Sequence, residues 1–386
     1  MRTSDSLEQD GAVTVVEDST SQPIKRPVAP STHRQRSAPR SGECTAPSAP
    51  TVFVRRTPPK PSKVFDSYWH FAAERQAVYH RRILGQKQPW TTNPVISTYK
   101  FTNAYRAADR VSQYLIQNVI YSGDYGLRDT VFRILLFKFF NKIQTWELLQ
   151  EMHGELTAKR FDPVRFGRTL NRAFESGARI YSAAYIMPSG PVSVRKDRKH
   201  SMHLGLLQRI LTERIPEQLA DAPTMAQAYE LLLNLPSIGP FLAYQFVTDI
   251  NYSGHFSFSE MEFVVPGPGA RDGMRKCFMS LGDFSEADTI RWVAEHQGEE
   301  FLSRGLKFAS LWGRPLQLID CQNVFCEVDK YARVVHPEVA GYSGRTRIKQ
   351  KFAPDLSPMQ PWFPPKWSIN EQIPRIAQPT KGPSLL

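Results

Sequence analysis

Apolar residues recur every three or four positions through most of residues 64–352. This period is typical of amphipathic helices, and few segments alternate with the period of two that a half-buried strand needs. In the first helical segment, Asp66 or Ser67 can cap the start, and Gly85 can end the helix. The pattern predicts an all-α fold with long loops. Short extended segments are expected only near residues 179–190 and 262–265.

Two further segments shape the predicted core. Residues 127–152, "LRDTVFRILLFKFFNKIQTWELLQEM", are strongly apolar and predict a central helix. Residues 103–123, "NAYRAADRVSQYLIQNVIYSG", predict another helix, on which Asn103, Arg106 and Arg110 would share one face with Gln113.

The two ends of the chain differ in composition from this helical part. Residues 1–63 are rich in Ser, Thr, Pro and Arg, and they carry too few apolar residues to offset the entropy of ordering. They predict a disordered basic leader, residues 64–352 a helical domain, and residues 353–386 a proline-rich tail. The tail contains Trp362, Phe363 and Trp367, so part of it is expected to pack back on the domain or to dock a partner.

The net charge of the chain indicates the kind of partner that it could bind. The 386 residues carry a formal net charge of +12, and most of this excess lies in residues 64–352, which favours a polyanionic partner such as DNA. No apolar run is long enough for a membrane helix, and the N-terminus has no secretory signal pattern. The four cysteines lack metal-site spacing, so free thiols, no metal and no cofactor are expected. These features predict a soluble intracellular protein, nuclear if the host is a eukaryote.

One stretch carries two turns that could bind anions. In "LPSIGPFLAYQ" a tight turn with Ser237 and Gly239 precedes Pro240, which is tolerated in the first turn of a helix. Backbone N–H groups at such a helix start can hold a phosphate of the DNA backbone. The alternative is an ordinary corner between two core helices.

The second turn, "GPGARDGMRK", also begins a predicted helix. Gly267 and Gly269 would let the backbone approach a ligand closely, and Arg271, Arg275 and Lys276 would add positive charge. The functional interpretation is a phosphate or pyrophosphate site. A plain capped turn is the alternative.

The first turn resembles the helix-hairpin-helix of the DNA glycosylase superfamily, whose pattern is leucine-proline-x-aliphatic-glycine. This resemblance implies that the hairpin holds DNA backbone and that an acid beyond it stabilises charge at a flipped nucleotide. The acids that follow here are Asp249, Glu260 and Glu262. Asp249 comes early and is expected to end the second helix of the hairpin, whereas the two glutamates fall nearer the expected catalytic position.

A longer resemblance covers most of residues 65–352. The segments "LPSIGPFLAYQFVTDINYS", "EFVVPGPGARDGMRKCF" and "LIDCQNVFCEVDKYARV" resemble the helical domain of the 5-hydroxymethyluracil DNA kinases. The resemblance implies a glycosylase-like fold and DNA with a modified pyrimidine as the partner. The sequence has no G-x-x-x-x-G-K-[ST] motif, so it is not expected to be a P-loop kinase itself.

Three segments offer polar and aromatic residues for a base or nucleotide pocket, because arginines can contact phosphate, amides can read a base edge and an indole can stack on a base. The alternatives are purely structural roles: solvated helix faces with ordinary ion pairs, aromatic core packing and a buried polar network. The candidate residues are Glu74, Arg75, Trp90, Asn103, Arg106, Asp109, Arg110, Gln322, Asn323, Asp329 and Lys330.

Two functions from different classes remain open at this point. The first is a DNA-binding, glycosylase-like enzyme that acts on a 5-hydroxymethyluracil-type base, by base excision or by displacement at the 5-hydroxymethyl group. The second is a non-catalytic DNA-binding module that recognises modified bases or supports a DNA-base kinase in trans. A structural protein without any nucleic-acid role would show no salt-dependent DNA affinity.

Overall fold

The computed structural model describes residues 56–183, 187, 198–353 and 360–374. These residues fall within one compact unit, Arg55–Leu386. The predicted leader therefore lies outside the described residues up to residue 55. The α-helices are α1 (Lys63–Ile83), α2 (Pro94–Thr98), α3 (Arg110–Tyr114), α4 (Leu127–Phe140), α5 (Ile143–His153), α6 (Pro163–Glu175), α7 (Lys199–Thr212), α8 (Ile215–Asp221), α9 (Met225–Leu233), α10 (Pro240–Ile250), α11 (Pro268–Cys277), α12 (Glu286–Ser303) and α13 (Leu318–Val335).

The described part of the chain is mostly helical, which confirms the predicted class. Its strands are β1 (Lys60–Pro61) and β2 (Phe278–Ser280), which pair antiparallel. The extended segments were predicted elsewhere, and residues 262–265 and 179–183 form no strand. Of the remaining residues of that second segment, 184–186 and 188–190 lie outside the described residues.

Three helices form the centre of the packing around one crossing point. The α1 ring of Tyr68 lies 4.5 Å from the α13 ring of Phe325, measured between centroids. At Gly273 of α11, a Cβ atom would overlap the Phe325 carbonyl oxygen. Glycine at this position therefore lets the backbones of α11 and α13 pack in direct contact.

The apolar segment 127–152 forms two helices, not one. The helix α4, which is buried from Thr130 to Phe140, ends where Asn141 adopts a left-handed conformation with φ 48°, and α5 begins at Ile143. Asparagine tolerates this conformation better than most residues, so it can end a helix without glycine.

The continuous helix predicted for residues 103–123 is also wrong. The chain forms a 3₁₀ turn over Arg106–Ala108, then α3, then a π-helix over Leu115–Ile120. Asp109 separates the first two elements because its backbone is extended, with φ −71° and ψ 146°. Asn103, Arg106 and Arg110 consequently do not share a helix face.

The proline-rich tail packs back on the domain over residues 360–374. Phe363 is completely buried, and Trp362 contacts the Tyr121 ring edge-on at 5.0 Å. The Arg314 guanidinium lies 3.9 Å from the Trp367 ring centroid. For this part of the tail, packing on the domain is the alternative that is confirmed.

Candidate nucleotide pocket

A cavity of about 240 Å³ lies beside the C-terminal half of α1. This volume is somewhat below the range of roughly 300–1,000 Å³ that is common for sites of drug-sized ligands. Its walls come from α1, the loop after it, α2, the segment before the 3₁₀ turn and one residue near position 350. The lining residues are Arg75, Val78, Tyr79, Arg82, Gln88, Pro89, Trp90, Thr91, Ile96, Ser97, Tyr99, Phe101, Asn103 and Phe352.

One face of α1 supplies the cationic wall. Arg75, Tyr79 and Arg82 follow one another at spacings of four and three residues, which places them on one side of the helix. The Arg82 guanidinium lies 5.9 Å from the Trp90 ring centroid, within the range of a cation–π contact. The wall thus combines positive charge with aromatic surface.

The loop after α1 is held in place by hydrogen bonds to Trp90 and its neighbours. Gly85, with φ 66°, ends α1 as the sequence predicts. Trp90 Nε1 donates to the Gln86 carbonyl at 2.7 Å, and Arg81 donates to the Trp90 carbonyl at 2.6 Å. Arg81 also pairs with Glu74 at 3.1 Å. Glu74 therefore supports the loop through Arg81 and does not line the cavity.

Arg75 has the environment of an anion-binding residue. Its side chain is half-buried and lines the cavity, yet it has no hydrogen-bond or ion-pair partner among the residues that the structure describes. Burial lowers the pKa of Arg75, while the nearby carboxylates of Asp109 and Glu327 raise it. An arginine stays charged under these conditions, so its donors remain available for a ligand.

Tyr79 adds a hydrogen-bonding group without a protein partner. The residue is 2 % exposed, and its hydroxyl makes no hydrogen bond within the described part of the chain. Burial raises the pKa of Tyr79, so the hydroxyl keeps its proton. Leaving a buried hydroxyl unpaired costs about 1–3 kcal/mol, and a ligand in the cavity could offset this cost.

Asp109 lies next to the cavity wall. The backbone N–H of Asn103 donates to Asp109 Oδ1 at 2.8 Å, and Asn103 Nδ2 donates to the Ala108 carbonyl at 2.8 Å. Burial raises the pKa of Asp109 to about 7, although the Asn103 hydrogen bond and the Arg75 charge lower it. A carboxyl with this pKa can accept or release a proton near neutral pH.

Asp249 is held in the core by two cations. It is 0 % exposed and accepts Arg106 Nη1 and Nη2 at 2.6 and 3.0 Å, while Lys138 Nζ lies at 3.1 Å. Burial raises the pKa of Asp249, but the charges of Arg106 and Lys138 lower it more, and the net pKa lies below the usual value. The residue lies at the end of α10, as predicted, and away from the cavity wall.

The two glutamates beyond α10 differ from each other. Glu260 pairs with Arg314 at 2.7 Å and has only 9 % of its side chain exposed. Glu262 is exposed, and its carboxylate has no partner among the described side chains. Neither glutamate lines the cavity, so the predicted acids and the predicted pocket lie at separate places.

The first predicted turn joins α9 to α10 with Gly239 as the N-cap residue of α10. Ser237 within it adopts a left-handed conformation with φ 64°. The two helices pack against each other across the turn. This geometry agrees with the predicted helical corner, and its contact with DNA stays a prediction.

The second turn is explained largely by packing. Gly267 is the N-cap residue of α11, and a Cβ there would lie 2.8 Å from the Phe241 ring. A Cβ at Gly269 would lie 3.1 Å from Cys326 Sγ. The Gly267 N–H donates to Gln322 Oε1 at 3.3 Å. Both glycines and the Gln322 amide therefore serve contacts within the protein.

The basic residues of α11 are divided between surface and interior. Lys276 is 1 % exposed and pairs with Asp329 at 2.9 Å, so it is not accessible to a phosphate. Arg271 is exposed but pairs with Glu286 at 2.8 Å, and Arg275 is exposed. Among the three basic residues of α11, Arg271 and Arg275 are therefore the ones that could contact an external anion.

The polar residues of α13 form a network that fixes neighbouring segments. Asn323 Nδ2 donates to the Asn103 carbonyl at 2.9 Å, and Glu327 accepts the backbone N–H of Thr102 at 3.0 Å. Lys330 pairs with this Glu327 at 2.5 Å. These contacts hold the segment that carries Asn103 against α13, so their effect on the cavity is indirect.

Four aromatic wall residues were not among the predicted site residues, namely Tyr79, Tyr99, Phe101 and Phe352. Tyr79 could have been found, because it falls on the Arg75 face of a well-predicted helix. Phe352 is far away in sequence, and no local pattern links it to α1.

The described part of the chain holds no cluster of three His, Cys, Asp or Glu residues suited to a metal ion. None of its helices has the length and apolar character needed to cross a membrane.

These features define a helical domain with a small cationic and aromatic cavity. Residues 62–341 match the family described as "5-hmdU DNA kinase, helical domain", and the chain belongs to this family. A relative described as "5-hmdU DNA kinase", from Bacillus phage SP10, is 25% identical over 300 residues. The match covers 72% of this chain and 46% of the relative, so the chain spans less than half the length of that protein. No solved structure matches the chain.

Proposed function

We propose that this protein binds DNA and takes a 5-hydroxymethyluracil-type nucleotide into the cavity. The relative's name supplies the class of base, and the family match covers every wall residue except Phe352. The observation that carries the proposal is a pair of wall groups that have no partner among the described residues, namely the Arg75 guanidinium and the buried Tyr79 hydroxyl. Both offer donors, which suit a phosphate and an oxygen of a base or of its hydroxymethyl group.

In this proposal the nucleotide leaves the base stack before it is bound. A base inside a duplex is out of reach, and flipping it costs a few kcal/mol. Stacking on the Trp90 ring, at about 1–3 kcal/mol per base, offsets part of this cost. The turn at Ser237 and Gly239 is assigned to the DNA backbone, with Arg271 and Arg275 as further phosphate contacts.

For chemistry, we favour displacement on a pyrophosphorylated 5-hydroxymethyl group over excision of the base. In this step the bond from the methylene carbon to the pyrophosphate oxygen breaks, pyrophosphate leaves, and the oxygen of a water molecule, which gives up a proton, bonds to the methylene carbon. Excision needs a carboxylate near the sugar, but Asp249 and Glu260 are engaged by cations and Glu262 is not in the cavity wall. Asp109 does not line the cavity but accepts the backbone N–H of the wall residue Asn103 at 2.8 Å, whereas Glu262 has no such link to the wall within the described residues. We assign proton transfer to Asp109 because of this position, and its pKa of about 7 suits general acid–base catalysis.

The second candidate is a recognition module that presents the modified base to a DNA-base kinase in trans. It is favoured by the kinase name of the relative and by the fraction of that relative, 46%, that the match covers. Here the cavity would select the base, and a separate protein would transfer the phosphoryl group.

Intact-mass analysis of oligonucleotides tests both candidates. Duplexes that carry thymine, uracil, 5-hydroxymethyluracil or its pyrophosphate would be incubated with the purified protein, with and without ATP. Loss of a base would establish excision, and gain of one phosphate with ATP would establish a kinase. Loss of pyrophosphate in water labelled with oxygen-18 would establish displacement at carbon if the label enters the DNA, and hydrolysis at phosphorus if it does not. Unchanged masses together with selective binding of the 5-hydroxymethyluracil duplexes would support the recognition module. Equal affinity for all four duplexes would refute the proposal.

Two cavity variants then test the assigned contacts. Arg75→Gln should lower affinity for the preferred duplex roughly 10–150-fold, as expected for a hydrogen bond to a charged group. Tyr79→Phe should leave the stability of the free protein equal or higher, because the hydroxyl that it removes has no partner among the described residues. The same variant should lower DNA affinity about 2–12-fold, because one hydrogen bond to the bound nucleotide is lost. Arg168→Gln, an exposed arginine on α6, is the matched control and should change neither quantity.

A further inference from the structure

We infer that residues 345–351 form a phosphate-binding strip that guides a DNA strand to the mouth of the cavity. This basic strip consists of Arg345, Arg347, Lys349 and Lys351, which alternate with uncharged residues in "RTRIKQK". The inference rests on the proposed function, because the strip serves the same bound strand. It lies beyond residues 62–341, so the family match assigns it no role.

The charges of the basic strip are largely unpaired within the described residues, although the Arg345 charge helps to lower the pKa of Asp272. All four residues are exposed, and none of them forms an ion pair with any residue that the structure describes. Other arginines of the domain, such as Arg271 and Arg304, do pair with acids. Four adjacent cations that form no ion pair within the described residues repel one another, and a polyanion would relieve this repulsion.

The backbone of the basic strip is nevertheless fixed. The Lys100 N–H donates to the Gln350 carbonyl at 3.0 Å, and the Phe352 N–H donates to the Thr98 carbonyl at 2.9 Å. Arg333 donates to the Arg347 carbonyl at 3.0 Å. A fixed backbone with solvent-exposed cationic side chains is the arrangement that positions a protein on nucleic acid without reading its sequence.

The basic strip lies next to the cavity. Phe352 directly follows the strip and lines the cavity, and Tyr99, another wall residue, forms a bridge with Lys351. Lys100, next to Tyr99, is exposed and adds a fifth positive charge. A strand whose flipped base occupies the cavity would therefore continue along these cations.

The salt dependence of DNA affinity tests the basic strip. The variant Arg345→Gln/Arg347→Gln/Lys349→Gln/Lys351→Gln loses four positive charges. Each phosphate contact contributes about 0.7 to 0.9 to the slope of log affinity against log salt, so the slope should fall by about 3. Anisotropy titrations between about 50 and 200 mM salt measure it, with oligonucleotides that carry thymine or 5-hydroxymethyluracil.

A matched control removes the same charge elsewhere. Lys159→Gln/Arg165→Gln/Arg168→Gln/Arg172→Gln neutralises exposed residues on and just before α6, and its slope should stay as in the wild type. An unchanged slope in the strip variant, or an equal fall in both variants, would overturn the inference.

The same titrations distinguish a failure of the inference about the basic strip from a failure of the proposed function. The ratio of the two affinities depends on the cavity, so the strip variant should keep the preference for 5-hydroxymethyluracil. A wild type without any preference would refute the proposed function. In that case the slope on thymine DNA would still decide whether the strip binds phosphates.

Discussion

Replacing Asp249 by Asn should destabilise the domain without removing a catalytic group. Its carboxylate accepts two nitrogens of Arg106 and lies 3.1 Å from Lys138 Nζ, and all three side chains are at most 5 % exposed. Asparagine keeps the shape but brings no charge, and it offers one acceptor oxygen in place of two. Arg106 and Lys138 would then be two buried cations beside an amide.

The magnitude follows from this arrangement. Removing one partner of a buried ion pair costs about 3–5 kcal/mol, because the remaining charge stays desolvated. Burial lowers the pKa of Lys138 to about 8, and Asp249 is the charge that raises it. Without Asp249 this pKa falls further and Lys138 can lose its proton near neutral pH. The loss at pH 7 should therefore lie near 3 kcal/mol and grow as the pH falls.

Urea unfolding followed by circular dichroism measures the effect. With an m-value of up to about 3 kcal/mol per M, a loss of 3 kcal/mol moves the midpoint by at least about 1 M. Glu262→Gln is the control, since an exposed carboxylate without a partner should change stability by less than about 0.5 kcal/mol. If Asp249→Asn unfolds like the wild type but loses turnover on DNA, the structural role argued for Asp249 is wrong.

Two further predictions concern the core. Gly273→Ala should lower the unfolding free energy by more than about 3 kcal/mol, because its Cβ would overlap the Phe325 carbonyl. Gly298→Ala in α12 should raise the unfolding free energy by up to about 1 kcal/mol, because the space around its Cβ is open. Equal denaturation midpoints for the two variants would contradict this prediction. Burial raises the pKa of Asp320 to about 7, above the roughly 3.9 of an unfolded chain, so the native state holds an extra proton between these values and stability should decrease as pH rises from about 4 to about 7. Asp320→Asn should weaken that dependence and leave the part that arises from Asp109, and an identical pH profile would argue against it.

Elements with a local signal could be predicted from the sequence. Gly85 ends α1, and Gly239 and Gly267 are N-cap residues of helices. The prolines that follow Gly239 and Gly267 occupy the first helical turn. Such signals depend on the backbone preferences of single residues, so the local sequence suffices to show them.

The prediction failed where tertiary contacts outweighed periodicity. Residues 103–120 have helical spacing, but Arg106 is drawn to Asp249 and its backbone N–H donates to Asp320 at 2.8 Å. These partners are over a hundred residues away, so no local pattern reveals them. Lys138, within the apolar run of α4, was the visible sign that a buried acid had to lie nearby.

The candidate cavity overlaps the predicted pocket only in part, for the same reason, and the role of its residues stays a prediction. Arg75, Trp90 and Asn103 line the cavity as candidates of the predicted pocket, whereas Gln322 and Asp329 are bound to other protein groups. Polar residues on a helix face look alike in sequence whether they meet a ligand or another helix. Burial and partners distinguish them, and both depend on the fold.

The distribution of partners also indicates where a ligand belongs. Asp249 and Glu260 are fully engaged by cations of the protein, so a ligand there would have to replace strong contacts. In the cavity, Arg75 and the Tyr79 hydroxyl have no such partners within the described residues. Native proteins pair most of their buried polar groups, and an unpaired one costs stability. Under the proposed function, a bound nucleotide would complete the hydrogen bonds of these two groups, and recognition would lie at α1 and not at the acids between the two turns.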